Sequence, residues 1–241
     1  MNKGRNVLIT GATGEIGFAV VEHLVKEGYR LILCDVKNNK KRELKILRKR
    51  YPIELHEFDL RDNKMTSKAL KYIGRQYRAF YALVNNAGIY PIKKINEYDL
   101  ALWNEVISVN LTGAFLCVLY LRPYVSPGGR IVNIASTAAH LGSRDPGYSA
   151  SKAGLVGLTK AIARNLSRFD IRVNAIAPGL IDTKMSQEMT KEDRKGLIQS
   201  ALIKRAGRPS DVASVVSFLL SPGADFITGA TLDVNGGIYL R

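Results

Sequence analysis

Short apolar runs alternate with helical patterns along almost the whole chain, and this alternation most constrains the fold. The runs are rich in Val, Ile and Leu and are apolar on successive residues, as in parallel strands that are buried on both faces. Parallel strands need crossover helices, so the pattern predicts an α/β protein with a doubly wound parallel sheet in three α/β/α layers. The predicted strands are Asn6–Thr10, Arg30–Asp35, Ile53–Phe58, Tyr81–Asn85, Arg130–Ala135, Ile171–Ile176 and Thr231–Val234.

The regions between these strands have helical spacing, and nothing in them divides the chain, so we expect a single domain over residues 1–241. The stretch from Leu180 to Gly207 is irregular and mixes apolar with charged residues. It could be a mobile substrate lid over about 184–206, or a plain surface helical hairpin. The predicted helices are Ile16–Glu27, Lys40–Lys49, Lys64–Gln76, Leu100–Leu121, Tyr148–Phe169 and Pro209–Leu220.

The turn after the first predicted strand contains three glycines at three-residue intervals and opens the first predicted helix. Glycines there allow a tight turn and let the backbone approach a pyrophosphate. The first N–H groups of the helix and its dipole favour an anion at the same point. The turn therefore predicts a Rossmann-type dinucleotide site with cofactor contacts from Gly11, Thr13, Gly14, Glu15, Ile16 and Gly17.

An acid, Asp35, ends the second predicted strand. An Asp at this place can accept hydrogen bonds from both ribose hydroxyls of NAD, and it repels the 2′-phosphate of NADP. The glycine turn has no Lys or Arg to bind that phosphate, although Lys37 follows Asp35 closely. We therefore expect NAD(H) to be favoured, while Lys37 and the basic residues after it leave NADP(H) open.

Tyr148 and Lys152 are four residues apart in the sequence, and Ser136 precedes them. On a helix, residues four apart share one face, so an ammonium beside the phenol would favour the phenolate. The two hydroxyls could supply a proton and a hydrogen bond to a carbonyl oxygen without a metal. Such spacing is also common on ordinary helix surfaces, so the interpretation depends on the rest of the chain.

Several further motifs make the chain similar to the short-chain dehydrogenase/reductase family over nearly its whole length. The motifs occur in the family's order, and together they resemble its single-domain branch. They are Asn85-Asn86-Ala87-Gly88, Asn110 within Val109–Gly113, Ser136 after Ile131–Ala135, Tyr148 with Lys152, Pro178-Gly179, and the C-terminal Ile227–Gly237.

This resemblance implies a role for each matching residue. Tyr148 would exchange a proton with the substrate oxygen, Ser136 would polarise that oxygen, and Lys152 would lower the tyrosine pKa and bind the nicotinamide ribose. Asn110 would hold a water that passes protons between Lys152 and solvent. The implied cofactor contacts outside the glycine turn are Asp59, Leu60, Asn86, Ala87, Gly88, Tyr148, Lys152, Pro178, Gly179, Ile181 and Thr183, together with Asp35. The resemblance also implies a homotetramer.

One position departs from the family pattern. Single-domain members usually have T-G-x-x-x-G-x-G, and this chain has Glu15 where the middle glycine is expected. A carboxylate suits the first turn of a helix but would repel a pyrophosphate. We therefore predict that the Glu15 side chain points away from the phosphates.

The resemblance implies an enzyme that interconverts a ketone and a secondary alcohol by hydride transfer. The segments Pro178–Thr183 and Arg205–Gly237 look most like 3-oxoacyl-thioester reductases. Asp35 fits that choice less well, because those reductases commonly use NADPH, so an NAD-dependent dehydrogenase of sugars, polyols or secondary alcohols stays open. A catalytically silent nucleotide-binding regulator is a third hypothesis, and the presence of all four catalytic residues argues against it.

Composition excludes few classes but guides the choice of partners. Much of the net charge of +15 comes from residues 37–50, which lack interleaved aromatics and are typical of a solvated helix face that can attract anionic ligands, not of a nucleic-acid surface. No apolar run approaches the roughly 20 residues of a membrane span, and there is no secretory signal. Cys34 and Cys117 have the pattern of reduced core residues, and no His spacing indicates a metal site. We expect a metal-free cytoplasmic protein that acts on a small carbonyl or alcohol substrate.

Overall fold

Seven parallel strands form one sheet in the computed structural model, which describes residues 4–37 and 39–240. The strands are β1 (Asn6–Thr10), β2 (Arg30–Asp35), β3 (Ile53–Glu57), β4 (Phe80–Asn85), β5 (Val125–Ile134), β6 (Arg172–Pro178) and β7 (Thr231–Val234). Their order in the sheet is β3-β2-β1-β4-β5-β6-β7, and every adjacent pair is parallel. This confirms the predicted doubly wound fold.

Helices cover both faces of the sheet. They are α1 (Glu15–Lys26), α2 (Lys41–Leu47), α3 (Asn63–Tyr77), α4 (Leu100–Ile107), α5 (Gly113–Leu121), α6 (Ala138–Leu141), α7 (Pro146–Leu166), α8 (Lys184–Gln187), α9 (Lys191–Ser200) and α10 (Pro209–Leu220). Side chains of a strand alternate between faces, so Val7 and Ile9 of β1 pack with α1, α2 and α10, whereas Leu8 packs with α3, α5 and α7. The sheet therefore has an apolar core on each side.

Three differences from the sequence prediction go beyond shifts of one to three residues at the end of an element. The strand expected to begin at Arg130 begins at Val125, which pairs with Phe80 through a register shift that the apolar pattern does not reveal. The helix expected over Leu100–Leu121 is divided into α4 and α5 by a π-helical turn at Ser108–Thr112. The short helix α6 was not predicted, because four residues are too few to show a helical period.

The helical stretch from Leu100 to Tyr124 contrasts with the expectation that no segment could span a bilayer. It has 25 residues, and its most apolar window has a mean hydropathy of 1.5, so it is long and apolar enough by these measures. However, 44% of its most apolar window is buried within the protein, where α5 packs on α3 and α4 packs on α7. The stretch therefore serves as a core helix of this fold.

The carboxyl ends of the parallel strands meet along one edge of the sheet, which is where ligands bind in folds of this type. The loops after β1, β4, β5 and β6 contain the glycine turn, the Asn86–Gly88 segment, Ser136 and Gly179. The segment predicted as a lid lies beyond β6 and consists of α8, α9 and the turn that follows them. These loops build the candidate site.

Candidate active site

Helix α7 places Tyr148 and Lys152 on one face, next to the end of β5. The Lys152 side chain is 4% exposed, and its Nζ donates a hydrogen bond to the Ile134 carbonyl at 2.8 Å. The same Nζ lies 5.7 Å from the centre of the Tyr148 ring. Ser136 follows β5 directly, and its hydroxyl accepts a hydrogen bond from the Ala138 N–H at 3.1 Å. The structure therefore brings three of the four predicted catalytic side chains together.

Burial dominates the acid–base properties of this pair. It raises the pKa of Tyr148 to about 12, and a hydrogen bond with Ser136 partly opposes that rise. Burial also lowers the pKa of Lys152 to about 8, because the ammonium loses hydration. The net shift of the tyrosine pKa is thus opposite to the lowering expected from Lys152, since desolvation of the phenolate is the larger effect.

Asn110 lies in the π-helical turn, a kind of irregularity that is frequent at functional sites. Its Oδ1 accepts from the Ile89 N–H at 2.8 Å, and its Nδ2 donates to the Ile89 carbonyl at 2.9 Å and to Ser151 Oγ at 3.0 Å. The side chain thus fixes the loop after β4 against α7. A Cβ added to Gly88 would lie 3.3 Å from Lys152 Nζ and 3.4 Å from Asn110 Oδ1, so Asn110 is close to Lys152. Its predicted role in holding a water stays a prediction.

Two residues that sequence reasoning missed support the catalytic tyrosine. Asp145 is fully buried and caps α7: its Oδ1 accepts from the Tyr148 N–H at 2.8 Å and from the Tyr98 hydroxyl at 2.5 Å, and its Oδ2 accepts from the Lys93 N–H at 3.0 Å. Tyr90 packs on Tyr148 with ring centroids 4.4 Å apart. The Asp-Pro step at the start of α7 was the available sequence signal for the cap, whereas nothing local marks Tyr90.

The glycine turn and the segment after β4 are closely packed. Asn86 Nδ2 donates to the carbonyls of Thr10 and Gly11 at 3.1 and 2.9 Å, and Thr10 Oγ1 accepts from the N–H groups of Asn86 and Ala87. Gly11 has a φ of +61°, and a Cβ there would lie 2.7 Å from Ala87 Cα. A side chain at Gly17 would overlap the Gly11 carbonyl. Only glycine fits at Gly11 and Gly17, and the turn leads into the N-terminus of α1 as a pyrophosphate site requires.

Asp35 lies at the end of β2, facing the glycine turn. Its Oδ2 accepts hydrogen bonds from the Thr13 N–H at 2.8 Å and the Thr13 hydroxyl at 2.9 Å, and its Oδ1 accepts from the Val36 N–H at 2.8 Å. These three contacts use both acceptor sites of Oδ2 and one of the two on Oδ1, so Asp35 is oriented and one site on Oδ1 stays open to a further donor. The glycine turn, the start of α1 and this carboxylate together fit the pyrophosphate and ribose of a dinucleotide.

The residues expected at the adenine have other partners in the structure. Both oxygens of Asp59 accept hydrogen bonds from the Arg61 guanidinium, which lowers the pKa of Asp59. Leu60 packs against α5, where a Cβ on Gly113 would lie 3.1 Å from Leu60 Cδ1. The adenine contacts of Asp59 and Leu60 stay predictions.

Glu15 turns towards the segment after β6. Its Oε2 accepts a hydrogen bond from the Lys184 N–H at 2.8 Å, at the first residue of α8. The carboxylate thus joins the first turn of α1 to the predicted lid. That the Glu15 side chain points away from bound phosphates stays a prediction. The hydrogen bond from the Lys184 N–H gives the carboxylate a partner on the side of the predicted lid.

A cavity of about 220 Å³ opens between the end of the sheet and the lid. Tyr90 and lid residues such as Met185, Met189 and Leu197 add to its lining. We call it the catalytic cavity. The predicted site residues that line it are Ile16, Asn86, Gly88, Ser136, Tyr148, Lys152, Pro178, Gly179, Ile181 and Thr183.

Comparisons with known proteins agree with this geometry. A family model described as enoyl-(acyl carrier protein) reductase matches residues 11–239. The 3-oxoacyl-[acyl-carrier-protein] reductase FabG of Aquifex aeolicus is 36% identical over 98% of this chain and 98% of its own length. The chain therefore belongs to the short-chain dehydrogenase/reductase family, and it is an oxidoreductase that acts on a CH–OH or ketone group with NAD(P).

Solved structures of differently described proteins have the same fold. A short-chain dehydrogenase/reductase from Brucella melitensis, described as a glucose/ribitol dehydrogenase, superposes with a TM-score of 0.90 at 34% identity, over 99% of this chain and 98% of that one. A blue fluorescent protein from a metagenomic library, solved in complex with NADPH, gives a TM-score of 0.92 at 28% identity, over 100% of both chains. The fold is thus common to relatives with different descriptions.

Proposed function

We propose that the protein reduces 3-oxoacyl thioesters to 3-hydroxyacyl thioesters. The observation that carries this proposal is the catalytic cavity, where Ser136, Tyr148 and Lys152 meet apolar side chains of the lid. Relatives named as 3-oxoacyl-[acyl-carrier-protein] reductases match the chain over nearly its full length and support the choice of substrate. The positive net charge of +15 also suits an anionic carrier.

In this proposal the side chains bind and protonate the substrate oxygen. A bound reduced nicotinamide supplies a hydride to the carbonyl carbon. Ser136 donates a hydrogen bond to the carbonyl oxygen, and the Tyr148 phenol gives that oxygen a proton as negative charge develops on it. Lys152, held by the Ile134 carbonyl, places a positive charge near the phenol and stabilises the phenolate that remains. Asn110 keeps the adjoining loop in register through Ile89.

For the cofactor, we propose a preference for NADH over NADPH. Asp35 is oriented by Thr13 and can accept a hydrogen bond from a ribose hydroxyl through Oδ1, while its charge disfavours a 2′-phosphate. Two observations favour NADPH instead: the metagenomic relative has NADPH bound, and Lys37 is exposed. The preference for NADH over NADPH is therefore tested in the same assay as the choice of substrate.

An NAD-dependent dehydrogenase of sugars, polyols or simple secondary alcohols is the second candidate. It is favoured by Asp35 and by the relative described as a glucose/ribitol dehydrogenase, which is 34% identical over nearly the whole chain. The two candidates share the catalytic residues and differ in what the lid and the residues after Ser136 would accept.

One matched assay separates these candidates. Purified protein is tested with NADH and NADPH on 3-oxobutyryl thioesters of N-acetylcysteamine, and with NAD and NADP on ribitol, glucose and secondary alcohols. We expect thioester reduction to have the highest kcat/KM, with NADH preferred. Polyol or sugar oxidation with a higher kcat/KM would support the second candidate. An absence of turnover on every substrate would leave only the hypothesis of a silent nucleotide-binding regulator.

We further propose a cytoplasmic homotetramer. Leu100 and Trp103 of α4 and Phe115 and Leu119 of α5 are exposed apolar side chains, as expected of helices that pack against another subunit. The thiols of Cys34 and Cys117 are buried and unpaired, which is typical of a reducing compartment. Light scattering on the purified protein tests the assembly: Trp103→Glu is expected to reduce the mass to that of a smaller species, and a monomeric wild-type protein would contradict the proposal.

A further inference from the structure

A second cavity, of about 400 Å³, lies next to the catalytic cavity, between α9 and the C-terminal segment. Its lining is mostly apolar, with Ile198, Leu202 and Ile203 on the lid side and Val234 on the sheet side. Three charged residues also line it: Arg205 and Asp211, which form an ion pair at 2.8 Å, and Asp233. We call it the tail cavity.

The two cavities share part of their walls. Leu180, Leu197 and Ile238 line both of them. Leu180 follows the Pro178-Gly179 turn, Leu197 lies on α9, and Ile238 belongs to the C-terminal segment. The residues common to both spaces are thus three apolar ones, so the boundary between the two cavities carries no charged group.

Hydrogen bonds hold the walls of the tail cavity in place. The Ile203 N–H donates to the Gly236 carbonyl at 2.8 Å, which ties the end of the lid to the C-terminal segment. The Gly207 N–H donates to the Leu180 carbonyl, and the Asp182 N–H donates to the Gly207 carbonyl, both at 2.8 Å. Interiors normally pack without such voids, so an apolar space with anchored walls is suited to an apolar ligand.

We infer that the tail cavity binds the alkyl chain of the substrate. This inference rests on the proposed function. A 3-oxoacyl thioester extends from its ketone in two directions, and the thioester side is attached to a polar carrier that must stay in solvent. Only the alkyl side is suited to a mostly apolar space. The reacting ketone lies at Ser136 and Tyr148, and the chain beyond it passes Leu180, Leu197 and Ile238 into the tail cavity.

This inference predicts that kcat/KM depends on the length of the alkyl chain. Each methylene removed from water contributes about 0.8 kcal/mol, which corresponds to about a fourfold increase in kcat/KM per methylene when the contact is kept in the transition state. The increase stops when the tail cavity is full. Short chains end in the catalytic cavity and gain nothing from the second space.

The test compares two tryptophan substitutions on the same helix. Ile198→Trp fills the tail cavity from a residue that does not line the catalytic cavity, and Gln199→Trp places the same side chain at the adjacent exposed position. Both variants and the wild type are assayed with N-acetylcysteamine thioesters from 3-oxobutyryl to 3-oxododecanoyl. We expect kcat/KM of the wild type and of Gln199→Trp to rise with chain length, and the ratio of longest to shortest to fall at least tenfold in Ile198→Trp.

Each outcome has one meaning. A wild-type profile that is flat with chain length, or an unchanged ratio in a folded Ile198→Trp, overturns this inference while the reductase function stands. A flat profile accompanied by a lower mass of Ile198→Trp in light scattering also overturns it, and assigns the space to a second copy of the chain. Failure of the wild type to reduce any thioester, including 3-oxobutyryl, overturns the proposed function and this inference with it.

Discussion

The proposed proton-transfer half of the site, around Tyr148 and Lys152, and the proposed adenosine half, around Asp35, Asp59 and Glu15, are held in different ways. Lys152 is 4% exposed and is fixed by a main-chain carbonyl, and Tyr148 is fixed by the buried cap at Asp145. In the adenosine half, by contrast, Asp35, Asp59 and Glu15 are partly exposed and bond to neighbouring loops. Interactions between exposed charges contribute little to stability, whereas removal of a buried partner is costly.

This difference indicates which properties of the protein can change easily. The proton-transfer half depends on buried contacts that connect β5, α7 and the loop after β4, so its chemistry should tolerate few substitutions. The adenosine half depends on surface carboxylates whose replacement leaves the core intact. Cofactor preference should therefore be adjustable by single substitutions that leave the reaction unchanged.

The largest expected effect is in the proton-transfer half. Tyr148→Phe removes the proton donor and should lower kcat by about 100- to 10,000-fold, the range that general acid catalysis contributes. Cofactor binding, measured by NADH fluorescence titration, should change little. Tyr90→Phe is the matched control, because it keeps the ring that packs on Tyr148, and it should lower kcat less than tenfold. Undiminished activity of Tyr148→Phe would refute the assigned mechanism.

The buried ammonium gives the next effect, on stability. The pKa of Lys152 is about 8 in the folded protein and about 10.5 in an exposed lysine, so below pH 8 both states hold the proton and the folded state bears the cost of burying it. Lys152→Met should therefore be inactive but more stable at pH 7, by up to about 3 kcal/mol. The gain over wild type should shrink between pH 8 and 10.5, where only the unfolded wild type keeps the proton.

Thermal unfolding measures this effect, because about 1 kcal/mol corresponds to roughly 2–4 °C in Tm for a chain of this size. Lys160→Met, at an exposed position on the same helix, is the control and should leave Tm almost unchanged. A lower Tm for Lys152→Met at pH 7 would show that its bond to Ile134 outweighs the cost of desolvation.

The adenosine half should respond through cofactor choice. Asp35→Asn keeps an oxygen that can accept from Thr13 but removes the charge that would face a 2′-phosphate. Two charges about 4 Å apart near a protein surface interact by about 4 kcal/mol, so we expect the NADPH-to-NADH ratio of kcat/KM to rise at least tenfold. Glu57→Gln neutralises a carboxylate at the end of the adjacent strand and is the control. An unchanged ratio in Asp35→Asn would mean that Asp35 does not reach the ribose.

The pH dependence of kcat/KM tests the proposed roles of Tyr148 and Lys152 in the proton-transfer half. Ketone reduction needs Tyr148 protonated, which holds below about pH 12, and Lys152 charged, which holds below about pH 8. The value of kcat/KM reports the free enzyme, so it should be level below pH 8 and then fall by about tenfold per pH unit. A profile that stays level to pH 10 would exclude Lys152 as the controlling group.

Much of the fold could be predicted because its signals are local. The bounds of β1, β2, β7 and α10 agree residue by residue with the sequence prediction, since apolar runs and helical periods end there at clear turn or capping residues. The glycine turn and the Tyr148–Lys152 pair were also visible locally, as fixed spacings of a few residues.

The remaining features depend on contacts between distant parts of the chain. Asp145 accepts from the Lys93 N–H, 52 residues away, and from the Tyr98 hydroxyl, 47 residues away, so no local pattern indicated that it would be buried. The π-helical turn at Asn110 and the tail cavity likewise arise from packing between elements. The pKa of Tyr148 was expected to fall, and it rises because burial, which sequence does not reveal, is the dominant effect.

The smallest expected effect concerns Glu15, the position where the chain departs from its family. Its carboxylate accepts from the Lys184 N–H, so it already has a partner on the lid side of α1. Glu15→Gln keeps an oxygen acceptor and should leave the Kd for NADH within about twofold, because exposed charges are well screened. Glu15→Gly also releases the lid and lowers the helix propensity of the first turn, so a change of less than tenfold is expected. Titration of NADH fluorescence measures both variants. If Glu15→Gly tightened NADH binding a hundredfold, the carboxylate would have to face the pyrophosphate, and the adenosine half would then be under strain at this residue.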